Sequence, residues 1–76
     1  MATVKRIDGD YTIQTLNSPD AITFDSGLTR STGAFKVGSF TTSERNALTP
    51  ENGWIIYNST TSQFQGYAGG TWVNLN

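Results

Sequence analysis

The sequence predicts a mostly β protein: short β-strands in an N-terminal stem-like part, one short helical turn, then a C-terminal three-stranded antiparallel meander. Three observations predict it. Turn residues recur every six to nine positions through the first half, at Asp8-Gly9, Asn17-Ser18-Pro19-Asp20, Ser26-Gly27 and Thr32-Gly33. The stretch Thr41-Thr42-Ser43-Glu44 has the S/T-x-x-E spacing of a capping box and is followed by Pro50. Beyond it lie three runs rich in aromatic and β-branched residues, separated by polar and glycine turns.

Along the chain, residues 3–8 alternate weakly, with Val4 and Ile7 out of phase, and stop at Asp8-Gly9-Asp10. Glycine there accepts the positive φ of a tight turn. A strand follows over Tyr11 to Leu16, with Tyr11 and Ile13 on one face and Thr12 and Gln14 on the other. Pro19 then fixes φ, and Asp20 is placed to hydrogen-bond local backbone. Ile22 and Phe24 share the period-2 pattern of a second strand, and Phe35 and Val37 that of a third. Side by side, Tyr11, Ile13, Ile22, Phe24, Phe35 and Val37 make an apolar face that so few strands leave partly uncovered.

In the second half, the Thr41 hydroxyl is expected to accept from the Glu44 amide while Glu44 reaches back to the Thr41 amide, opening one or two helical turns. Ala47 and Leu48 are expected to seat the turn on the sheet, with Glu44 as cap and Arg45 as a solvated ion. Pro50 ends it, because a residue before proline avoids the α region. Gly53 supplies a turn, Trp54 to Asn58 a strand, Ser59 to Ser62 a hairpin loop, Gln63 to Tyr67 the return, Ala68 to Gly70 a second turn and Thr71 to Leu75 the last strand. In that last strand Trp72 and Asn74 face one way, Val73 and Leu75 the other. Both faces carry apolar residues, one for the helical turn and one for a neighbouring chain. The division expected is therefore 1–38 as an N-terminal β stem or attachment part and 39–76 as a C-terminal knob.

Composition limits the function. A 76-residue chain has room for one small core, and a domain of this size buries only about 60% of its unfolded surface. Disulfides, a metal or oligomerisation usually make up the deficit. With no Cys and no His, disulfides and the commonest metal ligands are out, which leaves oligomerisation. Net charge is −1, and the five Lys and Arg form no basic stripe, so nucleic acid is not expected as a partner. No apolar run approaches the ~20 residues that cross a bilayer, and Met1 to Arg6 lacks a signal-peptide apolar region, so no membrane role is expected and synthesis in a cytoplasm is.

No catalytic set is visible: there is no Cys or His, and no Ser in a Gly-x-Ser-x-Gly elbow. Asp8 with Asp10, or Glu44 with Glu51, are the only carboxylate pairs to weigh for glycoside chemistry, and Asp beside Gly is the composition of a turn. Asp8-Gly9-Asp10 falls short of the six or more oxygens that calcium takes. Gly66 to Gly70 lacks the Lys and the helix of a phosphate loop. The chain is thus read as a non-enzyme with no catalytic residues, no metal site and no cofactor. Trp54, Tyr57, Phe64, Tyr67 and Trp72 are concentrated in the last third, which suits either core and intersubunit contact or a sugar-stacking surface.

The run from Phe40 to Asn58, closing on Gly69-Gly70-Thr71-Trp72-Val73-Asn74-Leu75, resembles a small module found at the ends of phage tail, fibre and other virion structural proteins. Its pattern, T-x-x-x-R-x-x-L-x-P-x-x-G, then IYN, then G-x-W, is matched here by Thr41, Arg45, Leu48, Pro50, Gly53, Ile56, Tyr57, Asn58, Gly70 and Trp72, over about half the chain. Gly9 to Leu16 also looks like the short G-x-x-T-I strands of fibrous phage proteins. The resemblance implies a virion structural protein of a tailed bacteriophage, made in the host cytoplasm: a small intertwined homotrimer of fibre, head-decoration or neck type, contacting other virion proteins. Core or intersubunit positions would be Tyr11, Ile13, Ile22, Phe24, Phe35, Val37, Trp54, Ile56, Trp72 and Leu75. The alternative is an adhesion module binding host surface polysaccharide, with Tyr67 and Trp72 as the glycan contacts.

Overall fold

The computed structural model describes residues 3–76, which divide into two compact units, one running to Arg30 and one from Ser31 to Asn76. All regular structure described lies in the second unit. It comprises β1 (Ser39–Phe40), α1 (Thr42–Asn46), β2 (Ile55–Asn58), β3 (Gln63–Ala68) and β4 (Thr71–Asn74).

The strands form a single mixed sheet in the order β1-β2-β3-β4. The expected antiparallel meander is present, with Ile56 opposite Gln65 and Tyr67 opposite Trp72. A fourth strand extends it: β1 pairs with β2 in parallel, Ser39 beside Tyr57 and Phe40 beside Asn58. Bonds at both ends frame this addition, from the Tyr57 amide to the Gly38 carbonyl at 2.9 Å and from the Ser59 amide to the Phe40 carbonyl at 2.8 Å. Parallel neighbours need a crossover, and here α1 and the loop to Trp54 supply it.

Local chemistry accounts for the connections. Thr41 is the N-cap of α1, its Oγ1 accepting from the Glu44 amide at 3.1 Å while Glu44 Oε1 accepts from the Thr41 amide at 2.8 Å. The β3–β4 turn is the two-residue Gly69-Gly70, with φ of 61° and 80°, the sign that a tight right-twisting hairpin requires. Its amide at Gly70 is held by Asn52 Oδ1 at 3.1 Å.

The first unit has bends where the sequence places them, at Asp8-Gly9, in the segment ending at Pro19, and at Ser26-Gly27. The Asp20 amide donates to the Asn17 carbonyl at 3.0 Å, and Thr15 Oγ1 to the Asp20 carbonyl at 3.2 Å. Ser26 Oγ reaches the Leu28 carbonyl at 3.2 Å and Thr29 Oγ1 at 2.9 Å. The strands expected at 11–16, 21–25 and 34–37 do not form within one chain. A strand needs a partner ladder for its backbone groups, and these segments are bent away after each short run without pairing. Tyr11, Ile13, Ile22, Phe24 and Phe35 are accordingly all exposed in the single chain.

Candidate functional site: a two-faced sheet

Strand alternation sorts the second unit into two faces of opposite character. Cross-strand partners point the same way, so Ile56, Asn58, Gln63, Gln65, Tyr67, Trp72 and Asn74 share one face, joined by Phe40. Ile55, Tyr57, Phe64, Gly66 and Val73 share the other, with Leu75 carrying on beyond β4. The first face packs under α1. On the second, Leu75 covers Gly66 and Val37 lies beside Tyr57, while Ile55, Phe64 and Val73 stay exposed.

The covered face is built from hydrogen bonds. Asn58 is 0% exposed and Gln65 6%. Gln65 Oε1 accepts from Arg45 Nη1 at 2.9 Å and from Asn58 Nδ2 at 3.1 Å, while its Nε2 donates to Asn74 Oδ1 at 2.8 Å. Asn58 Oδ1 accepts from the amides of Thr60 at 3.0 Å and Thr61 at 3.3 Å, and Nδ2 also reaches Thr42 Oγ1 at 3.1 Å. Among the described residues no buried side-chain polar atom lacks a partner. A satisfied network of this kind orients the helix on the sheet, since each amide is usable in only one arrangement.

Arg45, with Thr42, links helix to sheet. Its guanidinium lies over the Trp72 ring, 5.8 Å from the centroid, and is held from behind by Asn46 Oδ1 at 2.8 and 3.2 Å. The solvated ion expected at Arg45 is therefore corrected: the side chain is half-buried and structural. Leu48 is half-buried as expected, whereas Ala47 is exposed and does not seat the turn. Trp72 meets Tyr67 edge-to-face with centroids 5.2 Å apart, and the Tyr67 hydroxyl donates to the Gly70 carbonyl at 2.8 Å.

Of the apolar positions read from the sequence, Ile56 is the one buried, at 4% exposure, and Trp72 and Val37 are half-buried. Trp54 and Leu75 remain exposed, as do the five N-terminal apolar positions named above. Asn58 and Gln65 were not singled out from the sequence as site residues. The signal for Asn58 lay in its place after the Ile-Ile-Tyr run, ahead of a Ser-Thr-Thr loop whose amides need an acceptor.

The open face is apolar from strand to strand. Tyr57 and Phe64, opposite one another, pack edge-to-face at 5.1 Å between centroids. Ile55, Gly66 and Val73 lie in one row across the sheet, and Leu75 leans over Gly66, its methyls 3.4 and 3.5 Å from where a Cβ would stand. Two shallow grooves run across this face. One is lined by Phe35, Val37, Tyr57 and Phe64, the other by Trp54, Ile55, Val73 and Leu75.

Among the described residues no cluster of acidic side chains is placed to hold a metal ion, and no helix is long and apolar enough to cross a membrane. No family model, no curated protein and no solved structure matches the chain.

Proposed function

We propose that this chain is a non-enzymatic structural component of a tailed-bacteriophage virion, a small homotrimeric fibre, decoration or neck protein that works by assembling with copies of itself and with other virion proteins. The observation that carries the reading is where the ten pattern residues of the virion-module resemblance fall. Thr41 caps α1, Arg45 and Asn58 meet on Gln65, Ile56 is the buried apolar side chain, and Trp72 lies beneath Arg45. Gly53 and Gly70 take φ of 99° and 80°, where other residues are strained. The pattern therefore coincides with the residues that hold one capped-helix and sheet unit together, and it does so in a chain whose remaining apolar surface is open.

An assembling role also accounts for the composition. Low charge, many hydroxyl and amide side chains and a row of uncovered apolar residues suit chains packed against one another. Catalysis has no support in the geometry, since the polar side chains brought together are amides and one guanidinium already bonded to each other. Sugar stacking is also less well supported, because Tyr67 and Trp72 are packed on each other and Arg45 occupies one side of the indole.

The test is to raise an antibody or attach a tag to this chain and look for it in purified phage particles by mass spectrometry and electron microscopy. Stoichiometric recovery in particles, in multiples of three at one place, is the expected result. Absence from particles that contain the other structural proteins would reject the role.

A further inference from the structure

We propose that the open face centred on Ile55, Phe64, Val73 and Leu75 is the surface on which copies of this chain meet, each copy presenting that same face. This rests on the oligomeric part of the function proposed above and names the surface that performs it.

Chemistry of the face selects the occupant. Among the described residues its strand positions are Ser39, Ile55, Tyr57, Phe64, Gly66, Ala68, Thr71 and Val73, with no charged side chain and no carboxamide. A sugar or a charged peptide needs convergent polar groups, and the sheet places its amides on the opposite face. A second copy needs nothing of the kind, because two uncharged apolar faces meet without like-charge repulsion or unpaired donors. Ser39, Tyr57 and Thr71 carry the hydroxyls there, and Lys36 stands at one margin of the groove beside Phe35.

The amount of surface fits as well. Ile55 is 54% exposed, Phe64 46%, Val73 39% and Leu75 54%. Together these side chains leave open an apolar patch on the order of 400 Å². Stable interfaces cover about 800 Å² on each partner, with an apolar centre and a polar rim. The patch has the size of such a centre, and Asn52 and Lys36 around it have the composition of the rim.

Need points the same way. One buried apolar side chain, Ile56, is the whole apolar interior among the described residues, whereas a fold this small without disulfide or metal is ordinarily held by association.

The experiment uses the full chain, light scattering after size exclusion, and disulfide trapping, for which a chain without cysteine is well suited. Val73→Cys is expected to give covalently linked chains under mild oxidation, while Ser43→Cys, on exposed α1, stays unlinked. The pair Ile55→Glu with Val73→Glu is expected to weaken association at least 100-fold and yield a folded particle of single-chain mass. Should that variant fail to fold, the trapping result decides alone. Wild-type chain that assembles but gives no Val73→Cys link, or a folded double-Glu variant that keeps the wild-type mass, overturns this surface and leaves the proposed virion role standing. A wild-type monomer at all concentrations overturns both the surface and the homotrimer. Absence from particles, with trapping intact, rejects the virion role alone.

Discussion

Arg45 and Gln65, twenty residues apart, are joined by a 2.9 Å hydrogen bond from the guanidinium Nη1 to the amide Oε1, and this bond fastens the one helix to the sheet. The same oxygen accepts from Asn58, so removing it orphans two donors at once. Gln65→Ala is expected to cost about 2–3 kcal/mol, the sum of buried unpaired donors and a small cavity. Arg45→Ala and the double variant complete a cycle whose coupling is expected at about 1–2 kcal/mol. Urea unfolding at one fixed protein concentration measures it, and additive losses would show that the two side chains act independently.

The cap at Thr41 is the second feature that holds the helix, by closing its first turn on itself. Both bonds of its capping box are present on a helix of five residues, whose first amide, at Thr42, is separately taken up by Thr60 Oγ1 at 3.1 Å. Thr41→Ala is expected to lower stability by about 1 kcal/mol, and Thr41→Ser or Thr41→Asp to lower it by less than half as much. A Thr41→Ala loss no larger than that of an exposed threonine elsewhere, such as Thr49→Ala, would mean that the cap is dispensable.

These two features differ in how far they are legible in sequence. The capping box is local, three residues from end to end, so Thr41 and Glu44 declare it. The hairpins at 59–62 and 69–70 are equally local, and the strands they join were readable to within a residue. The polar network was not, because alternating Asn58, Gln65 and Asn74 have the spacing of a solvent-facing row. Only the arrival of Arg45 from α1 makes that row the inside, and this reverses the usual sense of the sheet: amides beneath the helix, Ile55, Phe64 and Val73 outside. β1 was illegible for another reason. Two residues have no periodicity, and pairing with Tyr57 and Asn58 is fixed by the length of the crossover. In the N-terminal half the turns were legible and the strands were not realised, since alternation specifies a face but not a partner to pair with.

Ser62 offers a stabilising change. It is the one described non-glycine residue with positive φ, at 55°, closing the loop between β2 and β3. A side chain in the left-handed region is held there at a cost of about 1 kcal/mol or more, partly offset in Ser62→Gly by the greater freedom glycine has when unfolded. Ser62→Gly is expected to gain about 0.5 kcal/mol, and Ser62→Val to lose more than 1 kcal/mol, in the same urea experiment. Equal stability of the glycine and valine variants would show that the loop adopts a different conformation in solution.

Concentration dependence of stability separates a self-sufficient chain from one completed by its copies. With Ile56 as the only buried apolar side chain, the second unit has little to resist unfolding alone. If folding and assembly are one process, a tenfold dilution shifts the balance by about 1.4 kcal/mol for each additional chain released. The thermal midpoint is therefore expected to fall by several degrees for each tenfold dilution. The Ile55→Glu, Val73→Glu variant, deprived of the apolar contact, is expected to melt lower and with no such dependence. A wild-type midpoint that stays constant over a hundredfold range would place the stabilising contacts within one chain, in the amide network around Gln65.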